Sequence, residues 1–251
     1  MDSILEQTSS LRELAYANGS PRQLLVADVI SAVIRRRVEN STWSCLPRYS
    51  DLPVEQWQQA LQKETFVHEL WPAQHLLGTH GVFRGRSAIV QMPTSAGKTK
   101  ATEIILRSAF ASGRTSFAII VAPFRALCHE IKNSLIDAFR GEDISVNELP
   151  DVLQKDHLAL DFYSQMFPDV QTEDTETSKH VLVVTPEKCV YMLRQSPELA
   201  NNIGLIIYDE GHQFDSGKRG ITYELLLTSL KSIMPEDIQT VLVSAVISCT
   251  V

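Results

Sequence analysis

Apolar residues follow two different rhythms in this chain, and the change comes near residue 66. Before it they recur every three or four positions. Over 21–38, Leu24, Leu25, Val29, Ile30, Val33, Ile34 and Val38 fall on one side of a helix. Ser20 followed by Pro21 marks its start, because a proline in the first turn forfeits no helical hydrogen bond. Arg35, Arg36 and Arg37 stand at its end, where positive charge suits the helix dipole, and a solvated helix end is expected there rather than a phosphate contact. A second helix is predicted over 54–64. The Ser, Thr and Pro residues of 40–53 predict a loop between the two.

Beyond residue 66, short and almost continuously apolar runs alternate with helical stretches. The runs cover 87–92, 116–122, 180–185, 203–208 and 240–247, and are rich in Val and Ile. Such runs suit strands buried on both faces. Strands separated by helices predict an α/β fold with a mainly parallel central sheet between helical layers, preceded by an N-terminal helical segment. In that architecture functional residues gather past the carboxyl ends of the strands. The unusual residues of this sequence do follow the runs.

Composition adds limits. The 251 residues are 44% hydrophobic and 21% charged, as a globular core requires. No stretch of about 18 apolar residues predicts a membrane span. The first residues lack the basic and apolar segments of a secretion signal, so an intracellular chain is expected. Cys45, Cys128, Cys189 and Cys249 are widely spaced, with no metal-binding pattern, and are expected to be reduced thiols. The net charge of −7 looks unsuited to nucleic acid, but its distribution decides otherwise. Residues 141–180 hold ten acids and two lysines, a net −8 that leaves +1 for the rest. The segment reads as a solvated surface insertion, and the polar stretch 171–179 as a mobile loop.

Two constellations carry chemistry. After the first run come Pro93, Thr94, Ser95, Ala96, Gly97, Lys98 and Thr99, then a helix-like stretch. A triphosphate needs backbone N–H groups curled round its oxygens, a helix N-terminus and a cation. Gly97 permits close backbone approach, Lys98 can reach the β- and γ-phosphates, and the Thr99 hydroxyl can ligate Mg²⁺. Met92 stands where the strict phosphate-loop pattern has glycine, and a turn that merely opens a helix is the structural alternative. After the fourth run come Asp209, Glu210, Gly211 and His212. Asp209 is suited to hold Mg²⁺ and Glu210 to activate an attacking water. Paired acids also cap helices, but the two constellations together predict a site that hydrolyses a nucleoside triphosphate with Mg²⁺, or one descended from such a site.

Pro-Thr-Ser-Ala-Gly-Lys-Thr followed by Asp-Glu-Gly-His resembles the DExH-type helicases of superfamily 2, especially their superkiller-like branch. Further pieces match in order over about 66–251. Leu70-Trp71-Pro72-Ala73-Gln74 is similar to the family's adenine-reading segment, Ala122–Leu127 to its first nucleic-acid motif, and Thr185–Lys188 to the next. Arg219-Gly220 with Glu224, and Ser244-Ala245-Val246, also have counterparts. The resemblance implies a RecA-like P-loop domain over 66–251 behind a helical extension over 1–65. It implies that Gln74 contacts adenine, and that Pro123, Arg125, Thr185, Pro186 and Glu187 line a groove holding one nucleic-acid strand, DNA somewhat before RNA. His212 would link the Mg²⁺ site to that groove, and Ser244 and Ala245 would couple hydrolysis to strand movement. Val246 departs from the family's threonine, which puts that coupling in doubt.

A second RecA-like domain is expected to be absent from the chain and supplied by the parent protein or a partner. The isolated chain is then expected to be weakly active or inactive. The alternative to a helicase or translocase is a nucleotide-responsive module that engages nucleic acid or protein without unwinding, for example within a repair or antiviral-defence complex.

Overall fold

In the computed structural model, residues 2–93, 96–149, 178–195, 197–212, 217–233 and 238–245 are described. They fall into two compact units, residues 1–79 and 80–251.

The first unit is helical: α1 (Asp2–Asn18), α2 (Pro21–Asn40), α3 (Thr42–Ser50), α4 (Val54–Leu61) and α5 (Pro72–Thr79). The Ser20 N–H donates to Gln23 Oε1 at 2.8 Å and closes the start of α2, as the Ser-Pro signal suggests. Arg12 Nε and Tyr16 Oη of α1 both donate to the Asp28 carboxylate of α2, at 2.6 and 3.0 Å. The apolar face of α2 is less covered than its periodicity implies, because Leu25, Val29 and Val33 are all more than half exposed. Arg37 pairs with Glu69 at 3.5 Å, both well exposed.

The loop expected over 40–53 is corrected to a helix over most of its length. Thr42 Oγ1 donates to the Val67 and His68 carbonyls, and α3 buries Cys45, Leu46 and Tyr49. Burial of that face outweighs the poor helix propensity of Ser, Thr and Pro47.

The second unit holds a six-stranded, wholly parallel sheet: β1 (Ala88–Gln91), β2 (Phe117–Val121), β3 (Ile144–Glu148), β4 (Lys179–Val184), β5 (Ile203–Tyr208) and β6 (Gln239–Ser244). Their spatial order is β1-β6-β5-β2-β4-β3. Among the described residues, four helices accompany them: α6 (Lys98–Ala111), α7 (Arg125–Ala138), α8 (Pro186–Gln195) and α9 (Gly217–Ile233). Phe117, Ile119 and Val121 share one core with Cys189, Met192 and Leu193 of α8 and Tyr223, Leu226 and Leu230 of α9. Ile120 and Ile207 face the opposite way, toward α6 and α7. The sheet is therefore the middle of three layers. Five of its strands coincide with the five apolar runs.

The sixth corrects the reading of 141–180 as solvated throughout. Residues 144–148 form the edge strand β3, with Val146 buried. Glu142 is paired with Arg107 at 2.6 Å, its side chain only 9% exposed. An edge strand covered on one side needs no continuous apolar run. The mobile-loop expectation for 171–179 falls mostly outside the described residues. No helix among the described residues is long and apolar enough to cross a membrane.

Candidate functional site

The register of the sheet places the strand ends side by side. Gln91 lies opposite Ser244, Tyr208 opposite Leu242, and Val121 opposite both Tyr208 and Val184. The segments leaving β1, β6, β5, β2 and β4 thus emerge along one edge in that order. Neighbouring strands are about 4.8 Å apart. The edge therefore begins with the Gly-Lys-Thr segment, continues through Ser244 and Asp209–His212, and reaches Pro123–Arg125 and Thr185–Glu187.

Beyond β1 the Met92 N–H donates to Ser244 O at 2.8 Å, one step past the strand. Met92 is buried. The Ala96 N–H returns to Pro93 O at 2.9 Å and folds the segment back. Gly97 adopts φ 80°, a left-handed conformation that costs an L side chain energy, and Lys98 opens α6 directly after it. Thr99, on the first turn, is exposed. Thr94 and Ser95 lie outside the described residues.

Lys98 Nζ meets Glu210 Oε1 at 2.5 Å across 112 residues of sequence. The Asp209 N–H continues the sheet by donating to Val121 O, and Asp209 Oδ1 accepts the Glu210 N–H at 3.0 Å. Glu210 has φ 53°, uncommon outside glycine. Burial, and then the neighbouring Glu210 charge, hold the Asp209 carboxyl above its ordinary range. His212 Nδ1 lies 3.3 Å from Glu210 Oε2 and 3.3 Å from Ser244 Oγ. The His212 N–H also donates to Ser244 Oγ at 3.2 Å. Ser244 is fully buried and Ala245 half-buried, while Val246 lies outside the described residues.

A cavity of about 250 Å³ opens between α6 and α7 over Ile120 and Ile207, bounded also by Lys98, Thr99, Glu130, Asp209 and Glu210. Three carboxylates and one ammonium group share this lining. Among the described residues no three His, Cys, Asp or Glu side chains are placed to hold a metal ion by themselves, so a divalent cation there would need the Thr99 hydroxyl and phosphate oxygens as well.

In the groove region Pro123 is buried and Arg125 is the exposed first residue of α7. Thr185 is buried, its carbonyl accepting the Cys189 N–H at 2.9 Å, and Pro186 and the exposed Glu187 begin α8. Gln74 belongs to the first unit. It is buried in α5, and its Oε1 accepts the Trp71 N–H at 2.9 Å. Gly220 is buried and Glu224 exposed on α9. One residue of the site escapes sequence reasoning, Glu130, which shares the cavity. Gly211 stood in the motif without a reason, which the structure supplies, because a β-carbon there would overlap the Leu242 side chain.

Comparison with known proteins identifies the family and the fold. The DEAD/DEAH box helicase family profile matches residues 72–251. The Hachiman protein HamB of Bacillus cereus is 28% identical over 98% of this chain and 21% of its own length. The ATP-dependent DNA helicase Hel308 of Methanocella arvoryzae is 28% identical over 66% of this chain and 21% of its own length. The chain thus spans about a fifth of these curated relatives. The crystal structure of the DUF1998 helicase MrfA bound to DNA and AMPPNP superposes with a TM-score of 0.59, at 20% identity, over 78% of this chain and 26% of that one, which shows the shared fold. With the profile spanning most of the sequence, the chain belongs to the DEAD/DEAH box helicase family.

Proposed function

We propose that the chain is the nucleotide-binding first motor domain of an ATP-dependent helicase or translocase that acts on a single nucleic-acid strand, with DNA favoured. The observation that carries this reading is the 2.5 Å contact of Lys98 with Glu210, which joins two constellations 112 residues apart into one site. Hel308 is an ATP-dependent DNA helicase and MrfA was crystallised with DNA, which supports DNA as the strand.

The chemistry follows from the side chains. Backbone N–H groups around Gly97 and the start of α6 cradle phosphate oxygens. Lys98 neutralises them, and a triphosphate competing for its ammonium group releases Glu210 to take the proton of the attacking water. Thr99 and Asp209 would hold Mg²⁺, which offsets phosphate charge as it develops. Gln74 contacts the adenine edge, as the family resemblance implies. Glu210, His212 and Ser244 form a polar chain from the hydrolytic residue to β6, a route for coupling hydrolysis to the groove of Pro123, Arg125, Thr185, Pro186 and Glu187. Backbone-directed contacts of that kind position a strand without reading its sequence. A second RecA-like domain supplies the arginine fingers, which raise turnover by about three to five orders of magnitude.

ATP hydrolysis by the full-length protein, with and without single-stranded DNA, tests the reading. Glu210→Gln is expected to lower the strand-stimulated rate at least about 100-fold while a fluorescent ATP analogue still binds. An undiminished strand-stimulated rate in that variant would sink the assignment.

A further inference from the structure

Helix α7 brings a carboxylate to the nucleotide site that no motif of the family resemblance contains. Glu130 lies on its second turn, five residues or about 7.5 Å along the axis from Arg125. Although exposed overall, it lines the same cavity as Lys98, Thr99 and Asp209. The Glu130 side chain makes no hydrogen bond or ion pair with any of the described residues. Its charge is felt at Asp209, where it adds to the upward pressure on that carboxyl.

An unpaired acid on a helix surface is ordinarily just solvated. This one lines a cavity that already carries Asp209 and Glu210 against Lys98, so its charge adds to a local negative excess. A cation bound there would offset that excess. Magnesium dehydrates reluctantly and keeps several of its waters, each of which needs an acceptor. Acceptors in that outer layer orient the ion and its direct ligands.

We propose that Glu130 is a positioning residue for the hydrated Mg²⁺ held at Thr99 and Asp209, accepting hydrogen bonds from the ion's waters across the cavity. The inference rests on the function proposed above and adds the wall of the cavity that α7 supplies. Glu130 does not touch the nucleotide. It acts through the waters of the ion, and its loss weakens the ion's hold rather than the nucleotide's own.

Equilibrium binding of a mant-labelled ATP to the full-length protein, titrated with Mg²⁺, provides the test. Glu130→Gln is expected to raise the Mg²⁺ concentration for half-saturation on the order of tenfold. Binding of the analogue in EDTA should stay within about twofold, which a merely structural role would not leave intact. Asp137→Asn is the control for general charge loss, since Asp137 is on the same helix but is exposed and paired with Arg140 at 2.6 Å, and it should leave the titration unchanged. A Glu130→Gln titration superimposable on wild type, or an equal shift in Asp137→Asn, overturns the inference while leaving the proposed function standing. Failure of the wild-type protein to bind the analogue with Mg²⁺ overturns both.

Discussion

Gly211 sits between the residue that would activate water and the one that would relay the event, and only a hydrogen fits there. A β-carbon would collide with Leu242 of β6, so the main chain of the hydrolytic segment rests directly on the neighbouring strand. Glu210, one residue earlier, holds φ 53°, a conformation that costs on the order of 1 kcal/mol and persists only where its surroundings fix it. Here those surroundings are Lys98 and His212. Gly211→Ala is expected to lower stability by about 1–3 kcal/mol through overpacking, and to disturb Glu210 with it. Denaturant unfolding and ATP hydrolysis on the same preparation check this, and wild-type values in both would refute it. The sequence singled out Lys98, Thr99, Asp209 and Glu210 as one constellation, and the structure lines one cavity with them. The motif also contained Gly211 but not the reason for it, since the demand for glycine comes from a side chain 31 positions later. Glu130 was not singled out, because an acid on a helix surface has many ordinary uses.

At the scale of elements, continuous apolar runs and Ser-Pro starts proved readable, and partly covered elements did not. β3 buries Val146 in an otherwise polar strand, so its run is too broken to stand out beside an acidic stretch. α3 carries loop-forming residues whose polar groups are taken up by distant carbonyls, a compensation invisible locally. The same region yields a test in which two effects oppose each other. Gly78 lies in α5 against the ring of Tyr49 in α3, and a β-carbon there would overlap that ring. Alanine in a helix gains roughly 0.5–1 kcal/mol over glycine, whereas overpacking a fixed ring costs about 1–3 kcal/mol. The ring is fixed, because Tyr49 Oη meets His75 Nδ1 at 3.0 Å and Arg48 lies over its face. Gly78→Ala is therefore expected to destabilise the helical unit by about 1–2 kcal/mol, read as a lower midpoint in thermal unfolding. A raised midpoint would show that Tyr49 can move aside.

Across the whole second unit, one buried cation ties separate layers together. Arg107 of α6 donates to Glu103, to Glu142 just ahead of β3, and to Ala138 O at the end of α7, and it stacks on the Phe139 ring. Both carboxylates are almost fully buried beside it. Removing one partner of such a group leaves charge stranded in a poor solvent, which costs about 3–5 kcal/mol. Arg107→Ala is expected to lose that much in urea unfolding, and a loss below about 1 kcal/mol would show that the carboxylates find water instead. The HamB match, which takes in nearly all of the chain, reaches the helical unit as well as the sheet. The apolar runs alone pointed to the parallel sheet between helical layers, since such a sheet announces itself through strands buried on both faces.

The order of the strands also dictates the order in which the site comes into being. β1 has a single strand partner, β6, and their junction joins Ser87 to Thr240 across 153 residues. While the chain is still being synthesised, the Lys98 segment can hang only from an unpaired strand until β6 emerges. β5 and the DExH segment, although made earlier than β6, likewise lack the neighbour that carries Ser244. Long-range parallel pairing of this kind is slow to form. Among the described strands, the one that completes the neighbourhood of Lys98 and Glu210 is thus the last to be made, so the two segments gain their shared neighbour only after both have been synthesised.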